Sequence, residues 1–253
     1  MKKIKNYGYQ NEKDFVLLFN DKYLYELDTN SQSFLKELFE NAIDNNEKII
    51  CWKNRMNQKA DILIKYKNYV KRVSIKCGSG NSMHSESVQE FKRYLESLGI
   101  QYKIIDKYIS YHYGYARNEN GDINIYRRLS SDGYKNLYQD EIDIFNKAIN
   151  KTHIIVNMID RFIVRGRNSN YDIDSLVCGT IDNYVWILKD DIYDLILSDR
   201  GERYTSPHIA CLTIGPKQRN ITDNLSTIKD KYIVVVRLSL IRERIMKYKT
   251  SKF

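Results

Sequence analysis

The chain has 253 residues, with 41 Lys and Arg against 32 Asp and Glu, for a net charge of +9 and a pI near 9.1. Two prolines, eleven glycines and 42% hydrophobic residues exclude a low-complexity or disordered chain, and no apolar run reaches the roughly 18 residues of a membrane span. The surplus of cations favours a polyanionic partner, although an evident Lys, Asn, Ile and Tyr bias inflates the lysine count.

In chain order, residues 11–20 read as a short helix with Asn11 as a cap, and 31–44 as a second helix capped by Ser31. Phe34, Leu35, Leu38, Phe39 and Ile43 form the apolar stripe of that second helix. Strands follow at 48–54, 60–66 and 69–77, the last two forming a hairpin turned at Asn68. After a loop with Gly78 and Gly80, residues 84–99 read as a helix ended by Gly99, and 100–106 as a strand. A helix is expected over 137–151. Beyond it the pattern is mainly strands, HIIVNMI and FIVRG first among them, interrupted by a short helix at 190–198. The fold class is α/β (α+β), a mixed-sheet core flanked by helices with a β-rich C-terminal half, in a single compact protein.

Four cysteines, Cys51, Cys77, Cys178 and Cys211, form no CxxC pair; this argues against structural zinc and fits a reducing cytoplasm. MKKIKNYGYQNEKDF has no apolar run after its lysines, unlike a secretory signal. No P-loop, GxSxG or HExxH is present.

The chemistry concentrates in residues 59–91. Phosphodiester hydrolysis calls for a hard divalent cation held by oxygen ligands, and for a lysine that orients water and offsets developing negative charge. A hairpin supplies both. Asp61 opens one strand, and Ser74 and Lys76 stand two apart on its partner, so that both project from one face while Ile75 faces the core.

This arrangement resembles the PD-(D/E)xK nuclease superfamily, with Asp61 at the family's Asp and Lys76 at its Lys. Ala60 replaces the family's Pro, and Ser74 stands where an acid is usual. One group of restriction endonucleases has S-x-K here and takes its second carboxylate from the following helix; Glu86 and Glu90 are the candidates, Glu86 preferred because it lies within the compact run SIKxGxGNSxHxE. The resemblance implies a restriction-endonuclease-like fold with a catalytic nuclease core in residues 1–107 and a β-rich, DNA-contacting region in 108–253. It implies Mg²⁺ as cofactor, with Mn²⁺ able to substitute, bound by Asp61 and by Glu86 or Glu90. A supporting acid from an N-terminal helix points to Glu12, with Asp14 behind it, and His84 is a candidate neighbour of the acids.

For double-stranded DNA the cluster Lys217, Gln218, Arg219 and Asn220 suits phosphates or base edges. Arg161, Arg165 and Arg167 share a face if 161–167 is extended, and Asn81, Arg117, Arg127 and Arg128 add polar and basic side chains. The expected function is a Mg²⁺-dependent type II restriction endonuclease, a homodimer or higher homo-oligomer. The alternative is a catalytically inactive nuclease fold that binds nucleic acid, and Ser74 is what sustains it.

Overall fold

Alternation of buried and half-buried residues from Ile62 to Tyr66 shows why this stretch is a strand with one face in the core: Ile62, Ile64 and Tyr66 are buried, with Leu63 and Lys65 between them. In this computed structural model the described residues are 7–56, 58–77, 82–167, 169–200, 204–219 and 228–252. Gly78, Gly80, Asn81 and Asn220 therefore lie outside them. The elements in order are α1 (Tyr7–Phe19), α2 (Thr29–Leu38), β1 (Ile50–Lys53), β2 (Ile62–Tyr66), β3 (Tyr69–Lys76), β4 (Ser82–Ser87), α3 (Val88–Ser97), α4 (Tyr102–Tyr113), β5 (Tyr115–Arg117), β6 (Ile123–Arg128) and α5 (Ser131–Ile149). Then come α6 (Thr152–Ile159), a π-helical turn (Asp160–Val164), β7 (Ser175–Thr180), β8 (Asn183–Leu188), α7 (Lys189–Leu197), β9 (His208–Ile209), β10 (Leu212–Pro216), β11 (Ile233–Leu238) and α8 (Ile241–Ser251). No helix among the described residues is long and apolar enough to cross a membrane, and all four cysteines are free.

Two compact units emerge, each drawn from separated stretches of chain. The first takes the described residues of 1–81, 160–195 and 240–253; the second takes those of 82–159 and 196–239.

The first unit is built on a mixed five-stranded sheet, β1-β2-β3-β7-β8, in which β3 and β7 run parallel and the other neighbours antiparallel. One face packs Val73, Ile75, Val177, Tyr184 and Trp186 against Phe15, Phe19, Phe34 and Leu35 of α1 and α2. The predicted stripe of α2 is buried throughout, including Phe39 and Ile43 beyond the helix end. Its cap is Asp28 rather than Ser31: Asp28 Oδ1 accepts from the Ser31 amide at 3.0 Å, while Ser31 is itself buried. Asn11 is no cap either. It lies within α1, buried, and its Nδ2 donates to the Gly179 carbonyl at 2.9 Å.

The second unit carries an antiparallel sheet, β4-β11-β10-β9, and a separate β5-β6 ribbon. Its core includes Phe91, Tyr108 and Phe145, with the Tyr108 and Phe145 rings stacked at 4.9 Å.

Four expected elements are corrected. Residues 84–99 are not one helix: 82–87 form β4, and α3 starts only at Val88, where Ser87 and Glu90 make a capping box. Residues 100–106 are not a strand but lead into α4, whose buried Ile105, Tyr108, Tyr111 and His112 recur at helical spacing. The segments HIIVNMI and FIVRG are helical, since Ile154, Ile155, Met158, Ile159, Phe162 and Ile163 are buried in pairs four residues apart. A short continuous apolar run looks the same in a buried strand and a buried helix.

Candidate active site

Strand alternation decides which side chains of the hairpin meet. With Val73 and Ile75 in the core, Ser74 and Lys76 project from the opposite face of β3. Asp61 lies one residue before β2, and its amide donates to the Val73 carbonyl at 2.9 Å. That register brings its carboxylate onto β3. Asp61 Oδ2 accepts from Ser74 Oγ at 3.0 Å and from the Ile75 amide at 2.6 Å. Ser74 is fully buried, while Asp61 and Lys76 are half-buried. Two donors on one oxygen fix the carboxylate's orientation. Among the described residues the other oxygen, Oδ1, accepts no hydrogen bond.

A fourth residue belongs with these three and was not singled out from the sequence. Lys59 stands two positions before Asp61. Its Nζ donates to the Phe162 carbonyl at 2.5 Å, and its stem lies against Gly166, where an added Cβ would sit 3.5 Å from Lys59 Cβ. Gly166 has φ +80°, a conformation that suits glycine. Burial pushes the Lys59 pKa down to about 7; the Lys76 charge adds to that and Asp61 opposes it. The sequence signal was only the place of Lys59 two residues before Asp61.

Other candidate residues occupy different settings. Glu86 is on β4, not on a helix, opposite Val234 of β11; its side chain is 2% exposed and Oε2 lies 3.3 Å from Nε2 of His84. Glu90 occupies the first turn of α3, where its carboxylate accepts from the Ser87 amide at 3.3 Å. Glu12, in α1, pairs with Lys53 of β1 at 2.5 Å, and Asp14 accepts from Gln10. Among the described residues no three His, Cys, Asp or Glu side chains gather into a metal-sized cluster. Mg²⁺ commonly uses one or two carboxylates and completes its octahedron with water and phosphate oxygens. The oriented Asp61 carboxylate, with Oδ1 available, fits that mode of binding.

The arginines expected on one strand face are not so arranged. Arg161 is in the π-helical turn, and Arg165 is exposed with Nε 2.7 Å from Asp172 Oδ1. Arg117 is held by Glu141 through two contacts of 2.8 and 3.0 Å, and Arg128 Nε donates to the Tyr113 carbonyl. Lys217 and Gln218 are exposed, Lys217 pairing with Asp230 at 3.0 Å. Arg219 turns inward instead. Its guanidinium sits 4.5 Å from the Tyr111 ring centre and reaches the Leu129 carbonyl at 3.4 Å. Burial lowers its pKa.

No family model and no curated protein matches the sequence. A solved structure does: restriction endonuclease MspI in complex with its cognate DNA is similar over 90% of this chain and 88% of that one, with a TM-score of 0.59 and 11% identity. The fold is restriction-endonuclease-like. At 11% identity the likeness is one of architecture. In this chain Asp61, Ser74 and Lys76 lie at the β2–β3 hairpin of the mixed sheet.

Proposed function

We propose that the chain is a metal-dependent endonuclease that hydrolyses phosphodiester bonds in duplex DNA, of the type II restriction class. The observation that carries this is the Asp61–Ser74–Lys76 grouping on one sheet face within a restriction-endonuclease-like fold. Asp61 would hold Mg²⁺, or Mn²⁺ in its place, and the bound ion would polarise the scissile phosphate. Ser74, buried and bonded to Asp61 Oδ2, is a positioning residue for that carboxylate. Lys76 offsets negative charge as it develops on the phosphate and orients the attacking water. Lys59 adds a second amine near Asp61 and Lys76, its basicity lowered by burial. Glu86 is the candidate for the second acid, because the Glu90 carboxylate already serves the cap of α3. Glu12 remains a candidate supporting acid that would have to leave Lys53 to serve.

The second reading, an inactive nuclease fold that binds nucleic acid, is favoured by one observation. The Ser74 hydroxyl is committed to Asp61 and offers no charge to a metal. Incubation of the protein with plasmid and phage DNA, with and without Mg²⁺, tests the two. Discrete fragments that require the metal support the endonuclease. Duplex binding without cleavage in any divalent metal supports the inactive fold. A restriction enzyme of this class would act as a homodimer or higher homo-oligomer, which sedimentation with and without DNA would show.

A further inference from the structure

Away from the hairpin, the second unit carries an open cavity of about 450 Å³ lined by the cations Lys147, Lys151 and Arg200, with His208 and the Thr152 hydroxyl beside them. Among the described residues no carboxylate lines it. Its wall is built with care. Asn146, near the end of α5, accepts from the His208 amide at 3.0 Å and donates to the Ser206 carbonyl at 3.3 Å. Asn150, one turn later, donates to the His208 carbonyl at 2.9 Å and accepts from the Ala210 amide at 2.6 Å. These four bonds pin β9 to the helix.

His208 is only 7% exposed. Its Nδ1–H donates to the Ser206 carbonyl at 2.8 Å, which leaves Nε2 as the ring atom without a hydrogen bond among the described residues. When the ring is protonated, Nε2–H becomes a donor in a cavity whose other charged groups are all cations. Thr152 opens α6, so the start of that helix adds the partial positive charge of its dipole. Arg200 Nη2 lies 3.5 Å from Thr152 Oγ1 and joins the two sides of the cluster.

We propose that this cavity holds a phosphate group of a nucleic-acid backbone, as a contact separate from Asp61 and Lys76. That the phosphate belongs to a polynucleotide rests on the endonuclease reading; the oxyanion chemistry of the cavity does not. Lys147, Lys151 and Arg200 supply charge, Thr152 a hydroxyl, and His208 a donor whose direction is fixed by its strand.

The chain has four histidines, so selective histidine labelling gives few NMR signals and His208 can be followed alone. Inorganic phosphate is titrated into the full-length protein and into the Lys147→Gln/Lys151→Gln variant, and binding to a labelled duplex is measured in metal-free buffer over a range of salt. The expected result has three parts. Phosphate moves the His208 signal in the native protein and not in the variant. The variant binds duplex about tenfold more weakly. Its slope of log affinity against log salt becomes shallower by about 1, the loss of one phosphate contact. Unmoved signals from His84 and His112, which do not line the pocket, show that the variant is folded. A His208 shift with unchanged duplex affinity overturns the backbone assignment in favour of free phosphate. Weaker duplex binding with an immobile His208 overturns the cavity as the contact. A native protein that binds no duplex overturns the endonuclease reading and the backbone assignment together, while the His208 titration still reports whether the cavity takes phosphate.

Discussion

On β3 the polar residues share one face and lean on one another: Ser74 bonds Asp61, and Lys76 follows two residues later. On β4 and the start of α3 the acids are dispersed among structural roles, Glu90 in a helix cap and Glu86 buried beside His84. Both stretches are rich in polar residues and were read from the same run of sequence. The difference is that the hairpin leaves a carboxylate oxygen of Asp61 unspent after its internal bonds are made, whereas the α3 cap spends its acid on the fold. A polar residue becomes a candidate for chemistry when local folding does not account for all of its bonding capacity.

The largest test of that contrast is at the hairpin. Asp61→Asn should reduce Mg²⁺-dependent cleavage by at least about a thousandfold while duplex binding persists, because one carboxylate is the proposed anchor of the ion. Lys76→Met should fall in the same range, since it removes a cation at the developing charge. Cleavage rates at saturating DNA, with affinity measured in parallel, decide it. An Asp61→Asn protein that cuts at the native rate removes the hairpin from the chemistry altogether.

The second test asks whether Glu86 stands with the hairpin or with the capping residues. Glu86→Gln should abolish metal-dependent cutting if it is the second acid. Glu90→Gln should leave cutting intact and cost no more than about 0.5 kcal/mol, since Gln also serves a capping box. Glu90→Ala should cost about 1 kcal/mol of stability. Loss of cutting in Glu90→Gln, with Glu86→Gln active, would reverse the assignment.

How much of this could be read from sequence depends on the range of the interactions. The hairpin was legible because its geometry needs only strand alternation and one turn within residues 60–77. The strand character of Glu86 was not, because it is set by pairing with Val234, far along the chain. The signal that α3 starts later, Ser87 followed by Glu90, was present but was outweighed by the helical look of the longer segment. In 152–164 the pairs of buried residues four apart did carry a helical period, which β-branched residues disguised. The inward turn of Arg219 depends on Tyr111 and Leu129, two partners distant in the chain that no local pattern announces.

A smaller effect separates the units by pH. His112, in the second unit, is buried, with Nε2–H donating to the Lys231 carbonyl at 2.8 Å and Nδ1 3.3 Å from the Tyr108 hydroxyl. Burial lowers its pKa from 6.5 to about 4, the Lys231 hydrogen bond opposes this, and the charges of Arg219 and Arg128 reinforce it. The folded state thus holds His112 neutral where the unfolded chain would be protonated. Its contribution is fully present above pH 6.5 and is lost as pH falls toward 4, by about 3 kcal/mol in all. Thermal unfolding across that window, compared between the native protein and His112→Gln, should show a steeper loss in the native protein. Equal slopes would mean that carboxylates in both units govern acid sensitivity.

The smallest effect concerns Arg219, where a role in the fold competes with a role in recognition. If it reads base edges, Arg219→Ala should relax sequence preference by about 1–3 kcal/mol at one position. Its guanidinium is instead stacked on Tyr111 and bonded to Leu129, and burial already disfavours its charge. The structure therefore predicts a modest loss of stability, about 1 kcal/mol, because the cation–π contact and hydrogen bond are partly offset by relief of desolvation. A second consequence follows from its position. The Arg219 charge is one of the causes that hold the His112 pKa down, so Arg219→Ala should let that pKa rise and make the unit less sensitive to acid. A lower melting temperature near neutrality, a shallower decline toward pH 4 and an unchanged cleavage pattern would together place Arg219 in the fold. Altered site preference with unchanged acid sensitivity would return it to the DNA.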